Sequence, residues 1–237
     1  MDIVYTVKYD KINEELFYSL RSLCNIPHDK VYIIGGCPYN LNLKHIKWIP
    51  AEALKTKYKT TTHNLEIAAN LKELSEDFIW MNDDFYILQK IEDPITELNL
   101  CKGVLQKSLD EFLKRNGICT TYMTGAKQTL DYLKTLGLKN PLSYELHIPF
   151  IYNKSRIQTM LALKDIRKVP ILYKRSVYGN LYYRNSTKTT DVKILRASKV
   201  DYAEWDKRKF LSSSDITWER VKPYLEKKFK DKSIYEL

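Results

Sequence analysis

Cysteines are few, and their spacing matches none of the common cysteine-based frameworks. Cys24, Cys37, Cys101 and Cys119 include no close pair and no spacing typical of zinc ligands. Each lies in an apolar or amphipathic stretch, which predicts buried free thiols and a reducing compartment. A disulfide scaffold and a structural zinc site are therefore not expected.

Long hydrophobic runs are also missing. The N-terminus, Met1-Asp2-Ile3-Val4-Tyr5, has no basic segment followed by an apolar run, so no signal peptide is predicted. No stretch approaches the roughly 18 apolar residues that a transmembrane helix needs. The expectation is a soluble, cytoplasmic protein without a membrane span.

Glycine is scarce, and its one adjacent pair matches no phosphate-binding motif. Gly35-Gly36 follows an apolar run, but it has neither the dinucleotide-binding fingerprint nor the P-loop pattern. A plain turn is favoured over a phosphate cradle. Repeats, low-complexity tracts and linkers are absent from the sequence as well, which predicts one compact unit.

Apolar residues and positive charge are plentiful. The 237 residues are 44% hydrophobic and 12% aromatic, which is ample for a core. The formal net charge is +10, which predicts an anionic partner such as nucleic acid, nucleotide phosphates, an acidic glycan or a membrane surface. Because lysines are scattered through the chain, the charge does not locate a site.

The first fifty residues predict a strand-helix-strand unit. Residues 3–7 and 31–34 are short β-branched and aromatic runs, and residues 46–49 resemble a third strand. Between the first two, Asn13 can cap a helix whose apolar stripe includes Leu16 and Leu20. This order predicts a parallel sheet with ligand sites beyond the C-terminal ends of its strands.

A polar run, Thr60-Thr61-Thr62-His63-Asn64, precedes another apolar stripe at helical spacing. If the helix begins there, its free N–H groups with Thr62 and Asn64 could bind phosphate. Ordinary helix capping by Thr or Asn is the alternative.

The stretch Asn82-Asp83-Asp84 lies between two apolar runs, residues 78–81 and 85–88. Two adjacent carboxylates oppose each other's ionisation unless a cation or donors meet them. Mg²⁺ or Mn²⁺ bridged to substrate phosphates would do so, whereas a tight Asn-Asp-Asp turn is the local alternative. The position at a strand end favours the metal without excluding the turn.

The second half of the chain is predicted to be mainly helical. Residues 127–136 and 155–163 and a stripe that begins at Trp218 have helical spacing. Residues 173–180 gather cations and hydroxyl groups near a glycine. We therefore divide the chain into an α/β half, residues 1–120, and a half packed on it, residues 121–237.

Several blocks together resemble the Stealth family, sugar-1-phosphate transferases of microbial capsule synthesis that are related to the lysosomal-enzyme N-acetylglucosamine-1-phosphotransferase. The match is closest at residues 74–84, which end in Trp80-Met81-Asn82-Asp83-Asp84. The other blocks are residues 2–7, 14–22, 31–34, His147-Ile148-Pro149, Arg175-Ser176, 212–215 and 233–236. Ser-rich sequence around Asp215 replaces the family's usual Asn-Asp pair, and the chain is compact.

The resemblance implies a GT-A-like, Rossmann-type mixed sheet flanked by helices, with a helical acceptor half. Its substrates would be a nucleotide sugar, such as a UDP-sugar, and a hydroxyl acceptor. The residues it assigns are metal ligands Asp83 and Asp84 for Mg²⁺ or Mn²⁺, general base His147, phosphate ligands Arg175 and Arg21, and donor contacts Tyr5, Thr6 and Asn82. Thr62 and Asn64 join the donor site through the predicted helix N-terminus.

Two reactions remain open. A Stealth-like enzyme would transfer sugar phosphate and release UMP, whereas a glycosyltransferase would transfer the sugar and release UDP. The positive charge would also suit DNA as the acceptor, as in base-modifying viral enzymes. A non-catalytic nucleic-acid-binding module, with the carboxylates serving only as a turn, is the alternative of a different class.

Overall fold

The computed structural model describes residues 1–9, 12–118 and 120–237. In the first half the elements are β1 (Asp2–Val7), α1 (Glu14–Ser22), β2 (Val31–Gly35), β3 (Ile46–Pro50), α2 (Lys57–Asn70), β4 (Asp77–Asn82), β5 (Phe85–Ile87), α3 (Pro94–Glu97), β6 (Leu100–Cys101), β7 (Gly103–Val104) and α4 (Leu105–Asn116). In the second they are α5 (Thr121–Thr135), β8 (Leu142–Ser143), β9 (Phe150–Asn153), α6 (Lys154–Leu161), α7 (Lys174–Tyr182), β10 (Thr187–Lys188), α8 (Tyr202–Trp205), β11 (Phe210–Ser212) and α9 (Trp218–Lys228).

The central sheet has the strand order β3-β2-β1-β4-β9. Strands β3, β2, β1 and β4 are parallel, and β9 pairs antiparallel with β4. The predicted strand-helix-strand unit and the mixed α/β fold are therefore confirmed. Because β4 and β9 come from different halves of the chain, the two halves share one sheet.

Alternate strand residues enter two different cores, as a sheet covered on both faces requires. Val4 and Trp80 face a core formed with α2, α5, α6 and α7. Tyr5 and Met81 face the opposite core, which includes α1. A third cluster packs β5 and β11 against α8 and α9. These layers fix β1 and β4 side by side, with Thr6 beside Asn82 at their C-terminal ends.

Helix α2 begins earlier than the sequence predicts. Thr56 is the N-cap, and its side chain accepts a hydrogen bond from the Lys59 amide. Residues 60–64 lie inside the helix, where the Thr60 and Thr62 hydroxyls donate to carbonyls one turn earlier. Such back-bonding makes threonine tolerable in a helix interior. The prediction that the helix begins after residues 60–64 is therefore wrong.

The glycine pair after β2 allows close approach between two strand ends. Gly35 has φ of 113°, and a Cβ there would lie 2.3 Å from the Val7 carbonyl oxygen. The Gly36 amide donates to the same carbonyl at 2.9 Å. The pair is thus explained by backbone packing at the end of β1.

Cys24, Cys37 and Cys101 are free thiols, of which only Cys101 is fully buried. The predicted thiol Cys119 lies outside the described residues. Among the helices that the structure describes, none is long and apolar enough to cross a membrane.

Helix α7 packs through Gly179 against the ring of Tyr144. A Cβ on Gly179 would lie 2.5 Å from a ring carbon. We predict that Gly179→Ala lowers the free energy of unfolding by about 1–3 kcal/mol, the usual cost of overpacking, as measured by urea denaturation. In a Tyr144→Ala background the same change should become neutral or favourable, because only alanine's higher helix propensity remains. Equal losses in both backgrounds would contradict this packing argument.

Candidate active site

A cavity of about 280 Å³ lies beyond the C-terminal end of β4. Residues from both halves of the chain form its walls. They are Lys57, Tyr58, Thr61 and Leu65 of α2, Trp80 and Asn82 of β4, Phe85 of β5, Tyr122, the segment Glu145-Leu146-His147, Tyr152, and the segment Leu172-Tyr173-Lys174-Arg175. We call this the first cavity. Its position at the strand ends is where ligand chemistry is expected in an open α/β sheet.

His147 is oriented by Asp191. The Asp191 carboxylate accepts from His147 Nδ1 at 2.8 Å and from the His147 backbone amide at 3.0 Å. With Nδ1 carrying the proton, Nε2 keeps a lone pair, and it has no hydrogen-bond partner among the described residues. His147 lines the first cavity, so the arrangement presents a proton acceptor to a ligand there.

Asp191 is held as a carboxylate by its neighbours. Burial alone would raise the pKa of this carboxyl, but the hydrogen bond and charge of His147 and the Lys102 ammonium at 2.7 Å hold it well below its ordinary value. The pair can therefore stabilise an imidazolium if His147 takes up a proton.

Arg175 positions the segment that carries His147. Its Nη1 donates to the carbonyls of Leu146 at 2.7 Å and Ile148 at 2.8 Å, and its guanidinium lies over Phe85 and Phe150. Only Nε and Nη2 are left for a ligand within the described structure. The phosphate contact predicted for Arg175 therefore stays a prediction, which Nε and Nη2 could fulfil.

Lys174 adds a cation beside Arg175 at the start of α7. Its ammonium donates to the Thr61 hydroxyl at 2.9 Å. Burial lowers the pKa of Lys174 to about 8, with Arg175 lowering it further and Glu145 opposing the shift. Glu145 itself accepts from the Ser176 amide and hydroxyl and so caps α7. The ammonium groups of Lys174 and Lys57 and the guanidinium of Arg175 make the first cavity suitable for an anion.

The two adjacent carboxylates are held by different partners. Asp83 accepts from the Asn13 side chain at 2.7 Å. Asp84 pairs with Lys193 at 3.3 Å and accepts from the Ser212 hydroxyl. Burial raises the pKa of Asp83 to about 6, offset by Asn13 and reinforced by the charge of Asp84.

Glu15 extends this acidic group. It accepts a short hydrogen bond from the Ser213 hydroxyl, which follows β11. Burial raises the pKa of Glu15 to about 7, opposed by the Ser213 hydrogen bond and reinforced by the charges of Asp84, Asp83 and Asp215. The Ser-rich segment 212–215 packs against the Asp83-Asp84 turn, because the Ser212 hydroxyl donates to the Asp84 carboxylate and the Ser213 amide to the Asp84 carbonyl.

The side chains around Asp83 and Asp84 fit a hard divalent cation only in part. No group of three His, Cys, Asp or Glu side chains that could hold a metal ion occurs in residues 1–9, 12–118 and 120–237. Mg²⁺ commonly uses one or two carboxylates and completes its shell with waters and substrate phosphates. Asp83 and Asp84 are partly buried carboxylates that could serve in that mode, and Lys193 would compete for Asp84.

Other predicted donor contacts lie away from the first cavity. Tyr5 is fully buried, and its hydroxyl bonds to Ser19, so it cannot reach a ligand in this structure. Arg21 forms a bidentate pair with Glu236 and donates to the Phe229 carbonyl. The contacts predicted for these two residues are therefore corrected. Both side chains serve the fold.

Thr62 and Asn64 do not stand at a helix N-terminus, because α2 begins at Lys57. Thr62 lines a separate cavity on the outer side of α2. Asn64 is buried and donates to the Thr6 hydroxyl at 2.7 Å, while its Oδ1 has no partner in the part of the chain described. Thr6 and Asn64 thus pack together at the C-terminal end of β1, next to Asn82 of β4.

Sequence reasoning missed Asp191, Lys102 and Lys193. They lie outside every block of the family resemblance, and Asp191 is 44 positions from His147. Lys174 lies within the cationic stretch 173–180, so a signal for it existed, although only Arg175 was selected.

The lowered pKa of Lys174 gives a prediction for stability. Between about pH 8 and 10.5 the unfolded chain retains a proton that the folded protein releases, so stability rises with pH across this window. Below it, folding carries the cost of the buried ammonium. Lys174→Met should therefore raise the free energy of unfolding at pH 7, by on the order of 3 kcal/mol, and the gain should vanish above pH 10.5.

Urea denaturation from pH 7 to 10.5 measures this difference. The exposed Lys72→Met is the matched control and should change stability little at any pH. A loss of stability in Lys174→Met that does not vary with pH would contradict the assignment.

A scan against protein-family models finds none that matches, and a search of curated proteins finds no match either. The resemblance to Stealth therefore stays a prediction. Among solved structures, the chain is similar to the bifunctional glycosyltransferase WbbM in its apo form, with a TM-score of 0.52 and 12% identity over 97% of this chain and 49% of that one. It thus spans about half of the WbbM chain.

Two further structures are more distant by TM-score. Galactosyltransferase LgtC, in complex with donor and acceptor sugar analogs, has a TM-score of 0.48 and 12% identity, covering 96% of each chain. Glycosyltransferase GlyE of Streptococcus pneumoniae TIGR4 has a TM-score of 0.38 and 10% identity, covering 79% of this chain and 44% of that one. At such identities only the fold follows, and the WbbM match supports it: the chain has a GT-A-like glycosyltransferase fold.

Proposed function

We propose that this protein is a transferase that moves a sugar or a sugar phosphate from a nucleotide sugar to a hydroxyl acceptor. The observation that carries the proposal is the pairing of His147 with Asp191 at the wall of a cavity that also holds Lys57, Lys174 and Arg175. A base and a group of cations suit a reaction in which a hydroxyl loses a proton while a phosphate leaving group gains charge. The GT-A-like fold supports a nucleotide sugar as the donor.

His147 acts as the general base. Its Nε2 accepts the proton of the acceptor hydroxyl as the acceptor oxygen forms its new bond, and Asp191 stabilises the resulting imidazolium. Arg175 keeps His147 in place through the Leu146 and Ile148 carbonyls. Lys174 and Lys57 reduce the negative charge of the departing nucleotide.

Two bonds in the donor are candidates for cleavage. If the acceptor oxygen attacks the β-phosphorus, the bond from this phosphorus to the bridging oxygen breaks, UMP leaves and a phosphodiester forms. If it attacks the anomeric carbon, the bond from carbon to phosphate oxygen breaks and UDP leaves.

Asp84, with Asp83 beside it, would hold Mg²⁺ or Mn²⁺, which when bound neutralises the donor's diphosphate. Each carboxylate already has a partner, Asn13 for Asp83 and Lys193 for Asp84, with which a metal would have to compete. Asn82 lines the first cavity directly before this turn and can contact the donor.

The nucleotide that is released tests the proposal. We expect one member of a panel of UDP-, GDP- and CDP-sugars, incubated with Mn²⁺, to be consumed, even if only by slow hydrolysis. Release of the nucleoside monophosphate, such as UMP, identifies sugar-phosphate transfer. Release of the diphosphate, such as UDP, identifies glycosyl transfer, and anion-exchange chromatography resolves the two. Consumption of none of these donors would overturn the proposal.

Removal of the base should slow transfer more than donor binding. His147→Gln is expected to lower kcat by about 10²–10⁴-fold, the usual contribution of a general base, with little change in the donor KM. His45→Gln, at an exposed position, is the control. Full activity in His147→Gln would exclude the base assignment.

The affinity for Mn²⁺ should depend on the Asp84 carboxylate. Asp84→Asn is expected to raise the Mn²⁺ concentration for half-maximal binding by roughly tenfold or more, measured by electron paramagnetic resonance in the presence of UDP. Lys193→Met should lower that concentration, because it removes the competing ammonium. Asp29→Asn, an exposed carboxylate, serves as the control. Equal Mn²⁺ binding by all four proteins would refute a metal site at Asp84.

A further inference from the structure

A second cavity, of about 640 Å³, adjoins the first at Tyr122 and the His147–Asp191 pair. Asp191 lines the second cavity, while its partner His147 lines the first. Tyr122 lines both. The two spaces are therefore neighbours that meet at the ring of Tyr122 and at the hydrogen-bonded pair. The volume falls in the range of ordinary ligand sites, about 300–1,000 Å³.

Hydrogen-bonded strands contribute to the wall of the second cavity. Val104 of β7, Ser143 of β8 and Lys188 of β10 line it, and β7 pairs with β8 and β10 with β6. The Thr189 amide donates to the Cys101 carbonyl, and the Lys102 amide donates to the Ser143 carbonyl, both at 2.8 Å. A site on such a frame is preorganised, because its polar side chains start from fixed backbone positions.

Gly103 provides the room for one of the cations. It has φ of 102°, and a Cβ there would lie 3.1 Å from Cε of Lys188. The stem of Lys188 therefore lies across the glycine. A larger residue at position 103 would move this ammonium.

The charges of the second cavity favour an anion. Lys102 and Asp191 neutralise each other at 2.7 Å. Lys107 and Lys188 form no ion pair with any carboxylate in the described ranges, which leaves two free cations against Glu111. The hydroxyls of Ser108, Thr189 and Thr190 add hydrogen-bonding groups, and Tyr122 and Phe112 offer aromatic faces. Hydroxyls and aromatic rings suit a sugar, and the free ammonium groups suit an acid carried by that sugar.

We propose that the second cavity binds the charged unit of the acceptor, and that the acceptor is an acidic saccharide with a carboxylate or phosphate placed at Lys107 and Lys188. Its reacting hydroxyl extends past Tyr122 to His147 in the first cavity. This inference rests on the proposed transferase function. It deepens that function by naming the acceptor's class and the residues that select it.

Isothermal titration calorimetry with defined tetrasaccharides tests the inference. The probes are a glucuronate-containing hyaluronan tetrasaccharide, maltotetraose carrying a 6-phosphate, and neutral maltotetraose. We expect at least one acidic probe to bind more tightly than the neutral one. The combined variant Lys107→Gln/Lys188→Gln should weaken acidic-probe binding by about three- to tenfold, as two exposed ion contacts would. The preferred acidic probe identifies carboxylate or phosphate.

Glu111→Gln supplies a test of opposite sign. Because this carboxylate faces the same cavity, its removal should tighten binding of the acidic probe and leave the neutral probe unchanged. Lys72→Gln, at an exposed site after α2, controls for a general loss of positive charge and should have no effect. These positions are on the surface, so the variants are expected to fold.

Equal binding of acidic and neutral probes, or acidic binding that the lysine and glutamate changes do not alter, would overturn the inference. Salt-sensitive binding of a single-stranded DNA oligonucleotide that depends on Lys107 and Lys188, with no binding of either acidic tetrasaccharide, would overturn it in favour of nucleic acid. Donor hydrolysis by the unmodified protein is measured separately. If no donor is consumed while the acidic probe binds, the proposed function fails, and the second cavity is then a saccharide site without an acceptor role. If a donor is consumed and no acidic probe binds, the inference fails alone.

Discussion

The candidate active site depends on the carboxylate of Asp191. This group accepts from the His147 ring, from the His147 amide and from the Val192 amide, and it pairs with Lys102. A partly buried charge is stable only when donors and an opposite charge surround it, and here three separate stretches of chain supply them. The same contacts orient the imidazole, and the pair lies where the two cavities meet. Arg175 reinforces the arrangement from the other side by fixing the carbonyls before and after His147.

Local sequence signals predicted the sheet well. The apolar runs of β1, β2 and β4, the Asn13 cap and the order of the elements all follow from short-range rules, and each is present in the structure. Such short-range rules do not identify contact partners that are distant in the sequence. Asp191 gives no signal in its own neighbourhood, because its role exists only once residues 146–148 and 189–193 meet. Arg21 and Tyr5 were misassigned for a related reason, since a helix stripe or strand end does not reveal that Glu236 or Ser19 already satisfies the side chain.

The start of α2 shows a different kind of error. A run of threonines resembles a helix N-terminus, yet the hydroxyls bond back to the preceding turn and the helix continues through them. The Asp83-Asp84 turn shows the reverse, because the sequence alone indicates that two adjacent carboxylates between apolar strands cost stability. Asp83, Asp84 and Glu15 lie together, and two of them have raised pKa values. Residues that lower local stability are expected at functional positions.

Tyr122 has a consequence for the order of events. Its ring contacts Tyr173 on the side of the first cavity and Phe112 on the side of the second. A donor that displaces Tyr173 or an acceptor that displaces Phe112 would therefore press on the same ring. If donor and acceptor occupy these adjoining compartments as proposed, both act on the ring of Tyr122 at the same time. Such an arrangement favours a ternary complex over a ping-pong scheme in which one product departs before the second substrate enters. Steady-state velocities at several fixed acceptor concentrations would then give intersecting, not parallel, double-reciprocal lines.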